Sequence, residues 1–248
     1  MDWIVITLSS MSEGEKLGPL LFLGALRMDA KTGDVSASLT TYIKPEPADM
    51  TAFKEWTGHE GVTVDELDSL PSAKEALMQL SHFAGADAIV AQGIETELVP
   101  LIRFHCERLG LATRPARFID YAKLARIVLM DDQVRPASEM FYRHQGLTRV
   151  PVSFSVRCLS IYFGLIEADA PRFGPLLYLR RLGQVVHRLW TLRTVKLGKE
   201  PLIAHVGVLP ALPAHHADLA AIADRRDEPT VSHDEFVRSL KADGLLPA

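Results

Sequence analysis

The chain has 248 residues, of which 48% are hydrophobic and 23% charged, with a formal net charge of −4. That apolar content suits one large domain, or one domain with a short appendage, and excludes a wholly disordered chain. No run of about 18 uncharged apolar residues occurs, and the opening MDWIVITLSS has no basic stretch ahead of an apolar one. Neither a membrane span nor a secretory leader is therefore expected, and a cytoplasmic location is.

Trp3 to Leu8 is a short run rich in β-branched residues and reads as a buried strand. Leu20 to Met28 reads as a second strand. Asp29 to Asp34 then carries hairpin-turn chemistry around Gly33, and Val35 to Ile43 reads as a third strand ended by Pro45 and Pro47. Residues 46 to 71 are polar and read as connections around a short helix. Ser72 predicts an N-cap for a helix running through about Ala84, with Glu75 completing a capping box. Ala88 to Ala91 reads as a short buried strand, and Glu95 to Leu109 as a helix stopped by Gly110. Ala116 to Ile119 reads as a strand, followed by helices over Tyr121 to Leu129, Val156 to Phe163, and Pro175 to about Leu192. Three antiparallel-type strands followed by alternating helices and strands predict an α/β fold, a mixed sheet flanked by helices.

The pattern weakens after Lys196. Ser232, Glu235 and the Val231–Phe236 pair predict a short capped helix through about Ala242. The expected organisation is a domain over 1–195 and an appendage over 196–248, available to a protein partner. Charge is uneven along the chain: residues 1–100 hold 6 Lys/Arg against 16 Asp/Glu, and residues 101–193 hold 15 against 7. Either the second stretch presents a cationic face to a nucleic acid or an acidic protein, or folding mixes the two. Cys106 and Cys158 sit in apolar helical patterns and read as buried thiols. The aromatics Trp3, Trp56, Phe154, Tyr162 and Trp190 are read as core packing. No phosphate-binding glycine loop, nucleophile elbow or HExxH motif is present. The spacing of His205, His215, His216 and Asp218 matches no metal site.

Several segments in order resemble the DnaQ-like, DEDDh 3′–5′ exonucleases of the RNase H-like superfamily. The likeness spans roughly residues 3–193. Ile4-Val-Ile-Thr7-Leu-Ser9-Ser has the shape of the strand that carries Asp-x-Glu in that family. Leu23-Gly24-Ala25 with Asp29 and Gly33, Ile43-Lys44-Pro45, and Thr57-Gly58 through Leu70-Pro71-Ser72 resemble the stretches that follow. Ile89-Val90-Ala91-Gln92-Gly93-Ile94-Glu95-Thr96-Glu97 is similar to the second motif, with Gln92-Gly93 standing for His-Asn and Glu97 for its Asp. Phe118-Ile119-Asp120 with Leu124-Ala125-Arg126, and the helix from Ser155 to Leu165, resemble the segments before the third motif. There Phe173 stands at the position of the general-base histidine and Tyr178 at that of the last acid.

What the resemblance implies is hydrolysis by two divalent ions, Mg²⁺ or Mn²⁺, held by four acids. Here those positions read Thr7, Ser9, Glu97 and Tyr178, so no catalytic residue, no metal and no cofactor are expected. Asp2, Glu13, Glu95 and Asp120 are the acids nearest the motif ends, and Glu95 with Glu97 also suits a helix start electrostatically. The expected protein has lost its nuclease chemistry and binds single-stranded nucleic acid, with Arg180, Arg181 and Arg188 as candidate contacts beside the old cleft, or binds a protein partner. The alternative is an active 3′–5′ exonuclease with an atypical site for Mg²⁺ or Mn²⁺.

Overall fold

A computed structural model of the chain describes residues 2–10, 17–59, 67–148, 150–170, 174–197 and 205–212. The first strands are β1 (Asp2–Ser10), β2 (Leu20–Asp29) and β3 (Val35–Tyr42), joined as an antiparallel set by the predicted hairpin at Gly33. Helix α1 (Met50–His59) and helix α2 (Ala73–Ala84) follow. Ser72 and Glu75 form the predicted capping box, in which the Ser72 hydroxyl accepts from the Glu75 amide and the Glu75 carboxylate from the Ser72 amide.

Strand β4 (Ala88–Ala91) lies parallel to β1, and β5 (Thr113–Asp120) parallel to β4. Between them runs α3 (Val99–Arg108), preceded by a π-helical turn over Ile94–Leu98. Helices α4 (Tyr121–Val128), α5 (Asp131–His144), α6 (Val156–Tyr162) and α7 (Pro175–Leu197) complete the helical set. Strand β6 (His205–Pro210) then returns antiparallel along β5. The sheet order is β3-β2-β1-β4-β5-β6.

The central strands alternate between two apolar layers. Trp3, Val5, Leu26, Met28, Val90 and Ile119 pack toward α4, α6 and α7. Ile4, Ile6, Ala25, Ile89, Ala91 and Phe118 pack toward α2 and α3. Period-two alternation is what a strand buried on both faces requires. The mixed sheet flanked by helices is therefore as expected.

Three expectations change. The compact unit runs over residues 1–211, not 1–195, because β6 adds six residues to the sheet edge. The second unit begins at Leu212, and the capped helix expected near its end lies outside the described residues. Helix α5 forms where no element was expected. Its Pro136 stands inside the helix, and its buried side is only Val134, Ala137 and Ser138. Among the five aromatics, Trp3 and Phe154 are fully buried and Tyr162 and Trp190 pack against that core, but Trp56 is only half-buried and faces a cleft.

Candidate functional site

The cleft opens where β1 and β4 end, at the carboxyl side of the parallel strands, where open α/β sheets place their ligands. Thr7 and Ser9 lie two apart on β1 and share its face. Beyond β4 the chain turns through Gly93, at φ 59°, into the π-helical turn that carries Glu97. A Cβ on Gly93 would stand 3.1 Å from the Glu97 carboxyl carbon, so the glycine permits both the left-handed turn and the seat of that carboxylate. Tyr178 comes from the first turns of α7. That helix approaches the sheet closely because Gly24, opposite Thr7 on β2, has no side chain: a Cβ there would meet Leu179 at 2.9 Å.

These elements enclose about 740 Å³ lined by Thr7, Ser9, Ser10, Gln92, Thr96, Glu97, Trp56 and Tyr178 with apolar neighbours. The cleft thus brings together the four positions that the resemblance implies, Thr7, Ser9, Glu97 and Tyr178. Phe173 lies outside the described residues. Glu97 is the one carboxylate among the described lining residues. Beneath the cleft, the buried Tyr121 hydroxyl donates to Gln92 Oε1 at 2.6 Å. Tyr121 and Tyr178 also interact through their hydroxyls. Burial holds both phenols above their ordinary pKa, and Glu97 adds to the rise at Tyr178. Both are thus neutral hydrogen-bonding groups near neutral pH.

The other acids are engaged elsewhere. Asp120 caps α4: one carboxylate oxygen accepts from the Ala122 and Lys123 amides at 2.8 and 3.2 Å, the other from the Ile94 amide at 3.4 Å. Glu95 points to the outer side of the π-helical turn, bonded to Lys123 at 2.8 Å and His205 at 2.6 Å. The Lys123 ammonium holds its pKa below the ordinary value. Asp2 begins β1, at the opposite end from Ser9, and Glu13, His215, His216 and Asp218 lie outside the described residues. Among the described residues, no group of three His, Cys, Asp or Glu side chains is placed to hold a metal ion.

The candidate arginines do not line this cleft. Arg180 and Arg188 are exposed on another side of α7 and border a separate groove. Arg181 is half-buried and donates to Gln184 Oε1 at 2.8 Å. The cleft residue that sequence reasoning missed is Trp56. Its ring stands 6.1 Å from that of Tyr42, which stands 5.3 Å from Phe22. The turn-rich context of residues 46 to 71 carries no signal that separates a cleft tryptophan from a core one.

The sheet order, the helical layers and the cleft define the DnaQ-like exonuclease fold of the RNase H-like α/β class. No family model matches the sequence, and no curated protein does. The fold is seen in a solved 3′-exonuclease in 3′-end-specific recognition of a histone mRNA stem-loop, 14% identical, TM-score 0.51, covering 86% of this chain and 91% of that one. A full-length 3′-exonuclease is 13% identical, with TM-score 0.54 and the same two coverages of 86% and 91%. The nuclease domain of 3′hExo, a DEDDh family member bound to rAMP, is 15% identical, with TM-score 0.52, covering 82% of this chain and 96% of that one. Among the described residues, no helix is long and apolar enough to cross a membrane.

Proposed function

We propose that this chain keeps the exonuclease cleft but not its two-metal chemistry, and that the cleft receives the end of a single-stranded nucleic acid without cutting it. The observation that carries the reading is the cleft's donor set: one carboxylate, Glu97, with Thr7, Ser9 and Tyr178 as its neutral companions. Two divalent cations need several anionic oxygens to offset their charge and to acidify the attacking water. Neutral hydroxyls and a phenol whose pKa is raised by burial do neither. The described residues therefore do not fit the two ions, and no hydrolytic step follows from them.

The same set suits binding. A cleft with one acid repels phosphates less than one with four. Its hydroxyls and the Gln92 amide offer hydrogen bonds to sugar and base edges, and the half-buried Trp56 offers a ring on which a base stacks. The recognition of an RNA 3′ end by a solved protein of this fold supports the same reading. The test uses 3′-labelled single-stranded RNA and DNA oligonucleotides. With Mg²⁺ or Mn²⁺ present, the oligonucleotide stays full length, and a gel shift appears that weakens on Trp56→Ala. Shortening that needs the metal and disappears in Glu97→Gln overturns the reading in favour of an active nuclease with an atypical site.

A further inference from the structure

A groove of about 790 Å³ lies on the far flank of α7 from the cleft, between that helix and the β2–β3 hairpin. Helix α7 packs mainly on β1 and β2, and among the described residues no helix covers this face of the edge strand β3. The floor and wall are apolar, from Leu26, Met28, Val35, Leu165, Leu176 and Leu179. Val35 and Leu176 are 51% and 52% exposed, which is unusual for large aliphatic side chains facing one concavity. β3 itself, VSASLTTY, carries no charge and no proline along its length.

The rim is cationic. Arg180, Gln184 and Arg188 repeat every fourth residue and form one exposed row along α7. Neither arginine has a hydrogen-bond or ion-pair partner among the described residues. The ring of His187 also lines the groove, against Gly33, and its Nδ1 is buried without a partner. Among the described residues, no acid lines the groove.

We propose that this groove is a docking site for a partner protein's acidic amphipathic helix, which lays apolar side chains against the exposed Val35 and Leu176 and sets carboxylates against Arg180 and Arg188. The arginines stand about 12 Å apart along α7, at 1.5 Å per residue. That spacing matches carboxylates two turns apart on a partner helix, flanking anchors at helical spacing. A second copy of this chain is disfavoured, since a two-fold contact would set each cationic rim near its own image. A nucleic-acid strand is disfavoured because, among the described residues, no Phe, Tyr or Trp ring lines the groove for a base to stack on, and the floor is apolar.

The experiment is a selection of displayed random peptides on the full-length protein. The expected winners carry Asp or Glu beside apolar residues at helical spacing, and their affinity falls with added salt. The double variant Arg180→Glu/Arg188→Glu, shown by circular dichroism to be folded, binds the winners at least tenfold more weakly, about a tenfold step being 1.4 kcal/mol. Exchanging the peptide's acids for lysine restores binding to that variant. The proposal is overturned if no peptide binds the folded protein, if the winners lack acids, or if the double variant binds them as tightly as before. It is likewise overturned if an oligouridylate displaces the winners and loses its own binding in the double variant, because the groove then holds nucleic acid.

Discussion

The Tyr121 hydroxyl, buried at the first residue of α4, donates to Gln92 Oε1 at 2.6 Å and so ties the helix after β5 to the loop after β4. Tyr121→Phe removes that donor and the contact with Tyr178 while keeping the ring. The expected loss is about 1 kcal/mol of unfolding free energy, typical of one intramolecular hydrogen bond. Urea denaturation measures it, with the slope unchanged. An unchanged midpoint would mean that water replaces the phenol at no cost.

His105 supplies a pH dependence of known sign. Its ring is fully buried on α3, Nε2 donates to the Gly18 carbonyl at 3.1 Å, and burial holds its pKa below the ordinary 6.5. The folded protein therefore keeps His105 neutral where the unfolded chain takes up a proton. Stability is complete above about pH 6.5 and falls as pH drops through that value, levelling off only below the folded pKa. Denaturation midpoints between about pH 7.5 and about pH 5.5 should fall, and His105→Leu should flatten that slope whatever it does to the midpoint itself.

Both cysteines should be silent in the native protein. Cys106 and Cys158 are fully buried, and burial pushes the Cys106 thiol up to about 11. Only the thiolate reacts at useful rates. Iodoacetamide at about pH 8 should label neither residue in native protein and both in denaturant, which mass spectrometry counts directly. Rapid native labelling of Cys106 would show that α3 opens readily.

Gly183 sits in the interior of α7, where glycine costs a helix about 1 kcal/mol relative to alanine. A Cβ there would make ordinary contact, 3.4 Å from Leu26 and 3.9 Å from Met28, at the floor of the arginine-rimmed groove. Gly183→Ala is therefore expected to stabilise the fold by about 0.5–1 kcal/mol. A thermal melt that shifts downward instead would mean that Leu26 cannot yield.

The elements that declared themselves in the sequence are those with local chemistry. Ser72 and Glu75 marked the start of α2, Gly33 marked the hairpin, a β-branched run marked β1, and apolar runs marked β2 and β4. The meeting of Thr7, Ser9, Glu97 and Tyr178 was legible through motif order, although those residues carry almost none of the expected charge. Other features depend on distant partners. β6 contains Gly207 and ends in Pro210, and it is a strand only because β5 offers it an edge. Helix α5 buries three small or medium side chains on one side, too thin a stripe to show a helical period around Pro136. The side of α7 on which Arg180 and Arg188 emerge depends on how the helix is rolled against β1 and β2, which spacing alone does not fix.

The place of β6 has a consequence for how the protein is made. β5 leaves the ribosome about ninety residues before the strand that will lie along it, since Phe118 pairs with His205 and Thr113 with Pro210. At about 5–20 residues per second, the nascent chain spends about 5–18 seconds with that edge unpaired. During this interval the backbone groups of β5 are a template for any other extended segment nearby. A message broken after α7 would leave every copy in that condition permanently, so truncated translation products of this protein should aggregate or be degraded even though the rest of their sheet is intact.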